Sequence, residues 1–234
     1  MPAKNTLKQY VPGGFYHIYN RGVEKRDIFL DDQDRRVFLN YLKIYLSPKE
    51  EILEEIKTNK NLSDEVKAKK TLEIINLNNF YNKIDVFCFI LMKNHFHIEL
   101  RQKESRDIEI FMRSLSTRYG RYFNERYQRV GPLFQGRYKG ILIEKEEYFL
   151  HLSRYIHTNS IEILGKGKDL VSYLWSSYPA YLGKTNFNWL KKDYLLGYFE
   201  SVKGFGFGSY QGFVEGYKKE TEEERDLYRK LLFD

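Results

Sequence analysis

The chain is 234 residues long, with 42% hydrophobic and 30% charged residues, which suffices for one sizeable core or one and a half domains. A net charge of +7 and an aromatic content of 17% favour a polyanionic partner with bases to stack on. One cysteine excludes a disulfide within the chain and points to a cytoplasmic setting, and no run approaches the ~20 apolar residues of a membrane span.

Phe15–Asn20 alternates and is aromatic, so it reads as a strand, broken at Asn20-Arg21-Gly22. From Asp31 to Leu46, Val37, Phe38, Tyr41, Leu42 and Tyr45 recur at helical spacing, with Asp31 and Asp32 suited to the N-terminal end. Ser47-Pro48-Lys49-Glu50 resembles a helix start, with Ser47 as cap and Pro48 in the first position. Residues 48 to about 78 read as two charged helices, an insertion between core elements. Between Lys49 and Lys83, seven basic residues meet seven acidic ones, as on a solvated surface.

Ile84–Leu91 is an apolar run of strand length that encloses Cys88, a candidate core residue. Lys93-Asn94 makes a turn and His95–Arg101 returns, which predicts a β-hairpin. A helix follows over 106–127, with Ile110, Phe111, Leu115, Tyr119, Tyr122 and Phe123 inward. Gly131-Pro132 stops it, Phe134–Ile143 reads as a strand, and Glu144–His157 is helical again. This order, β-α-β-β-α-β-α, predicts an α+β, ferredoxin-like antiparallel sheet with helices on one face. Beyond residue 160, short helices are expected around Trp175–Leu182 and Trp189–Phe199, a glycine-rich connection at Gly204–Gly208 and an amphipathic helical tail over 215–230. The expected division is a core domain over 10–160, with a helical insertion at 48–80, and a C-terminal helical extension over 161–234.

His95-Phe96-His97 carries the sharpest chemistry, because residues two apart on a strand face the same side and two imidazoles can hold one metal ion. Alone, the pattern is equally that of two histidines on a half-exposed strand. Tyr155 and Asn159 are four apart and share a helix face one turn apart. A tyrosine there can attack a phosphodiester and an amide oxygen can complete a metal site, although among 20 tyrosines packing is the commoner role. The window from Arg113 to Lys139 holds seven basic residues (Arg113, Arg118, Arg121, Arg126, Arg129, Arg137 and Lys139) against the single acid Glu125. Charge so concentrated favours nucleic acid.

Five blocks occur in order: Tyr16-His17-Ile18-Tyr19-Asn20-Arg21-Gly22, Ile28-Phe29, Met92-Lys93-Asn94-His95-Phe96-His97, Gly131–Lys139, and Arg154-Tyr155-Ile156-His157-Thr158-Asn159. Together they resemble the REP-associated tyrosine transposases, the single-tyrosine branch of the HUH endonucleases, over about residues 10–185. The resemblance implies the HUH core fold, with His95, His97 and Asn159 as metal ligands, Tyr155 as nucleophile, and Mg²⁺ or Mn²⁺ as cofactor. It implies cleavage and rejoining of single-stranded DNA near hairpins through a 5′-phosphotyrosine, by a monomer or homodimer. Arg21, Arg113, Arg118, Arg121, Arg137 and Lys139 are then candidates for phosphate contacts, and Tyr122 and Tyr138 for base stacking. Ser160 stands where the family usually has proline, and the insertion is longer than in its compact members. His151, one turn before Tyr155, is a spare ligand or proton acceptor; His17 reads as packing or a DNA contact, and His157 as structural or a DNA contact. Two alternatives stand beside this reading: a domesticated, non-catalytic nucleic-acid-binding regulator on the same fold, and a hydrolytic metallonuclease that uses water and leaves Tyr155 dispensable.

Overall fold

A computed structural model describes residues 10–165, 167–201 and 208–216. Among them, four strands form one antiparallel sheet in the order β2-β3-β1-β4: β1 (Phe15–Arg21), β2 (Ile84–Leu91), β3 (His95–Gln102) and β4 (Lys139–Ile143). This is the expected ferredoxin-like antiparallel sheet, but helices cover both of its faces rather than one, because the helix that carries Tyr155 packs on His97 while Phe38 packs on Phe96 of the opposite face. The central strands β1 and β3 run antiparallel, with Tyr19 opposite His97 and His17 opposite Glu99. Side chains alternate across the sheet, so this register puts two different chemistries on its two faces.

One face is apolar. Tyr16, Ile18, Phe96, Ile98 and Leu100 are each at most 1% exposed and pack beneath α1 (Asp32–Leu46) and α4 (Asp107–Arg126). Phe38 of α1 meets Phe96 at 5.1 Å and Tyr119 of α4 edge-on at 5.1 Å, which ties both helices to the sheet centre. Truncating a ring there to alanine costs about 3–5 kcal/mol. Asp31 caps α1 by accepting from the Asp34 amide, as its position suggests.

The insertion forms α2 (Lys49–Thr58) and α3 (Asp64–Asn76), the expected pair, and buries little beyond Ile52 and Ile74. Its start differs from expectation. Ser47 closes α1, its amide donating to the Lys43 carbonyl, and Pro48 occupies the position before α2 with no side-chain cap. Two helices abutting this closely leave Ser47 to end the first rather than begin the second.

The last strand is shorter than the sequence suggests. Residues 134–138 form a loop, in which Phe134 bridges Gly22, Gly136 has φ 159°, and Tyr138 turns inward to Tyr10. Pairing with β1 begins at Lys139.

The second sheet face is covered by α5 (Glu146–Thr158) and by segments of the extension: α7 (Tyr178–Tyr181), α8 (Lys192–Ser201) and α9 (Tyr210–Glu215), with the short α6 (Ile161–Leu164) between. His157 of α5 is fully buried, with Nε2 2.8 Å from Ser177 Oγ and Nδ1 2.7 Å from the Tyr210 hydroxyl. Burial pushes His157 down to about 3, so it is neutral here. This network settles His157 as structural, and it makes α9, which periodicity did not reveal, part of the same body as α5. The expected connection at Gly204–Gly208 and the tail over 215–230 lie almost wholly outside the described residues.

Candidate active site

The second face of β3 carries His95, His97, Glu99 and Arg101, and β1 places Arg21, Tyr19, His17 and Phe15 opposite them. Lys139 of β4 lies across from Tyr19. The two histidines therefore share a face, as their spacing requires, with ring centroids 5.0 Å apart and planes perpendicular. Tyr155 of α5 stands over them, its ring edge-on to His97 at 5.7 Å.

Hydrogen bonds fix the state of the first imidazole. Asn94 donates its Nδ2 to the Lys25 carbonyl at 3.1 Å, which turns its Oδ1 toward His95 Nδ1 at 2.6 Å. An amide oxygen only accepts, so His95 carries its proton on Nδ1 and a lone pair on Nε2. The loop that supplies Lys25 is pinned at its start by Gly22, whose amide donates to the Asn94 carbonyl. A Cβ at Gly22 would lie 2.2 Å from the Arg26 carbonyl oxygen, so the approach requires glycine.

His97 is 5% exposed, with Nδ1 2.8 Å from His17 Nε2; its ring also faces Tyr19 at 5.6 Å. Burial, followed by the nearby Arg21 charge, pushes His95 down to about 4. Burial, then the neighbouring His17 and His95, holds His97 well below the usual range. Both imidazoles are neutral at pH 7, the form that ligates metal.

Asn159 is the C-cap of α5 and 7% exposed. Its Nδ2 donates to the Tyr155 carbonyl at 2.8 Å, which leaves Oδ1 as its acceptor. Among the described residues, no three His, Cys, Asp or Glu side chains gather as a metal-holding group. Two neutral imidazoles, of which His95 has Nε2 available, nevertheless suit a divalent ion whose other ligands are neutral or substrate oxygens. His151 instead accepts from Arg154 at 2.8 Å and faces Phe213 of α9, away from the role of a spare ligand.

The basic candidates divide. Arg21, held by Gln135 Oε1 at 3.0 and 3.3 Å, and the exposed Lys139 flank the histidines on their own face. Arg113 and Arg121 are exposed on α4, in the opposite layer, and Arg137 is exposed on the loop before β4. Arg118 pairs with Glu73 of the insertion and lies over Tyr41 at 4.2 Å. Arg126 pairs with Asp31 and Asp34. Tyr122 donates its hydroxyl to Asp34. Tyr138 is 8% exposed, with its hydroxyl 2.5 Å from that of Tyr10, which removes its ring as a stacking surface. Charge density along the sequence overstated this window because part of it is internally neutralised.

Sequence reasoning missed Asn94 and His17 as partners of the two histidines. Asn94 was read as a turn residue, and only strand register reveals that His17 shares the face of His97.

Residues 52–159 match the family model of IS200-like transposases. That segment carries His95, His97, Tyr155 and Asn159, and the resemblance to single-tyrosine transposases read from the sequence is borne out over it. No curated protein matches the chain. A solved structure described as a REP-associated tyrosine transposase bound to a REP hairpin is similar at 11% identity and a TM-score of 0.46, covering 81% of this chain and 98% of that one.

Proposed function

We propose that the chain is a metal-dependent enzyme that nicks and rejoins single-stranded DNA near hairpins, with Tyr155 as nucleophile. The observation that carries this reading is the Tyr155 ring 5.7 Å from His97, on the face that also presents His95. The match of residues 52–159 to IS200-like transposases supports it.

In this reading, the Tyr155 hydroxyl oxygen attacks the scissile phosphorus and the P–O3′ bond breaks. The tyrosine proton ends on the departing 3′ oxygen, giving a 5′-phosphotyrosine and a free 3′-hydroxyl. The exchange of one phosphodiester for another lets a second 3′-hydroxyl reverse it, without a nucleotide cofactor. His95 and His97 through Nε2, and Asn159 through Oδ1, would hold the metal. Bound Mg²⁺ or Mn²⁺ would polarise a phosphate oxygen. Arg21 and Lys139 are suited to phosphates flanking the scissile bond.

The test is incubation with a library of 5′-extended DNA hairpins and Mn²⁺, read on a denaturing gel. A covalent adduct in the wild type and none in Tyr155→Phe, with DNA binding retained, is the expected result. An adduct that survives in Tyr155→Phe, or cleavage with no adduct at all, overturns the reading.

A further inference from the structure

We propose that His17 is a positioning residue that sets the ligating tautomer of His97 by accepting a hydrogen bond from its Nδ1. This rests on the reading of His95 and His97 as a metal-holding pair, and it concerns a residue outside the segment that matches the transposase family.

The argument starts from the symmetry of the two imidazoles. Each has its Nδ1 within hydrogen-bond distance of one protein atom: Asn94 Oδ1 at 2.6 Å for His95, His17 Nε2 at 2.8 Å for His97. At His95 the partner can only accept, so Nε2 keeps its lone pair. At His97 the partner is another imidazole, which can donate or accept. If His17 donated through Nε2–H, His97 would hold its proton on Nε2 and could not ligate. With His17 as acceptor, both β3 histidines present Nε2 lone pairs to the same face.

The frame around His17 is suited to holding it still. Its relative exposure is 0%, and its backbone sits in β1 between two paired strands, opposite Glu99 on one side and Ile141 on the other. The rings of His17 and His97 are nearly parallel, 18° apart. Fixing the second nitrogen of a metal-binding imidazole sets its orientation and basicity, and loss of such a partner costs roughly 10–100-fold in metal affinity.

The first readout needs no metal. In ¹⁵N-histidine-labelled, metal-free protein, long-range ¹H–¹⁵N correlation should show His97 protonated on Nδ1, with Nε2 of pyridine type. His17→Phe should convert this to an Nε2–H or mixed pattern, while His17→Gln, whose carboxamide oxygen also accepts, should keep it. His17→Leu serves the same comparison if the phenyl ring does not fold. The second readout is Mn²⁺ titration of the complex with hairpin DNA in a Tyr155→Phe background, where turnover cannot intervene. His17→Phe should weaken Mn²⁺ roughly 10–100-fold, and His17→Gln should come close to the parent, with DNA affinity in EDTA unchanged in both. An Nε2-protonated His97 in the wild type, or an unchanged pattern in His17→Phe and His17→Leu, overturns the assignment. A correct tautomer with no Mn²⁺ bound to the wild-type complex overturns the metal reading and leaves the hydrogen-bond assignment supported.

Discussion

At the residue scale, much of the site was legible, because His-x-His on a strand and a Tyr/Asn pair one helical turn apart are periodic signals. The structure brings His95, His97 and Tyr155 together. The partners were not legible, since Asn94 and His17 act through hydrogen bonds that depend on a turn and on strand register. Asn94→Ala should leave the fold intact while weakening Mn²⁺-dependent cleavage roughly 10–100-fold, checked by metal titration of the rate. A second residue-scale expectation concerns acid. The hydrogen bonds from Arg126, against an opposing effect of burial, hold the Asp31 carboxyl down to about 2. A depressed carboxylate contributes stability above its unfolded value of ~3.9, lost as pH falls toward 2. Asp31→Asn keeps a good helix cap but lacks the charge. Its deficit in urea melts should therefore be full at pH 6, shrink as the pH falls through the folded value of about 2 and vanish only below it; a pH-independent deficit would point to the cap instead.

At the element scale, long periodic segments were read correctly and their boundaries less so. The strand ending at Ile143 begins only at Lys139 because Phe134, Gly136 and Tyr138 serve a loop. Periodicity does not distinguish apolar residues that fill a loop from those that alternate along a strand. Gly22 shows how sharply one position can fix an element's end. Gly22→Ala drives a Cβ against the Arg26 carbonyl and should destabilise the protein by about 1–3 kcal/mol in urea unfolding. The short α9 was not visible to a periodicity argument, yet it is bonded to α5 through His157 and Tyr210. His157→Ala leaves the Tyr210 and Ser177 hydroxyls short of a buried partner and should cost about 2–4 kcal/mol. Faster hydrogen exchange over 210–215 would be its local signature; unchanged exchange there would mean that α9 is held by its apolar contacts alone.

At the scale of the whole molecule, net charge and the uneven distribution of arginines suggested a polyanion, and the structure refines which cations remain available. Arg118 and Arg126 have close carboxylate partners and the exposed Arg137 has Glu109 at 3.8 Å, whereas among the described residues Arg21, Arg113, Arg121 and Lys139 form no ion pair. If these four, with or without Arg137, meet phosphates, the logarithm of affinity for single-stranded DNA should fall by about 3 per tenfold rise in salt. Lys139→Ala should flatten that slope by about 0.7 and Arg118→Ala should leave it unchanged, both measured by fluorescence anisotropy across a salt series. Equal effects of the two substitutions would mean that the Glu73 pair opens when DNA arrives.

Cys88 gives the molecule a built-in clock. It is the single thiol of the chain, fully buried on β2, and it donates to Glu99 Oε2 at 3.0 Å from beneath α5. Burial, and then the Glu99 carboxyl, push the thiol well above its ordinary range, so in the closed state it is shielded and protonated. Alkylation by a small thiol reagent must wait for the sheet and its covering helices to part. The rate of mass gain in native buffer thus times how often the covered part of the histidine-bearing face is opened, without any label being engineered into the protein.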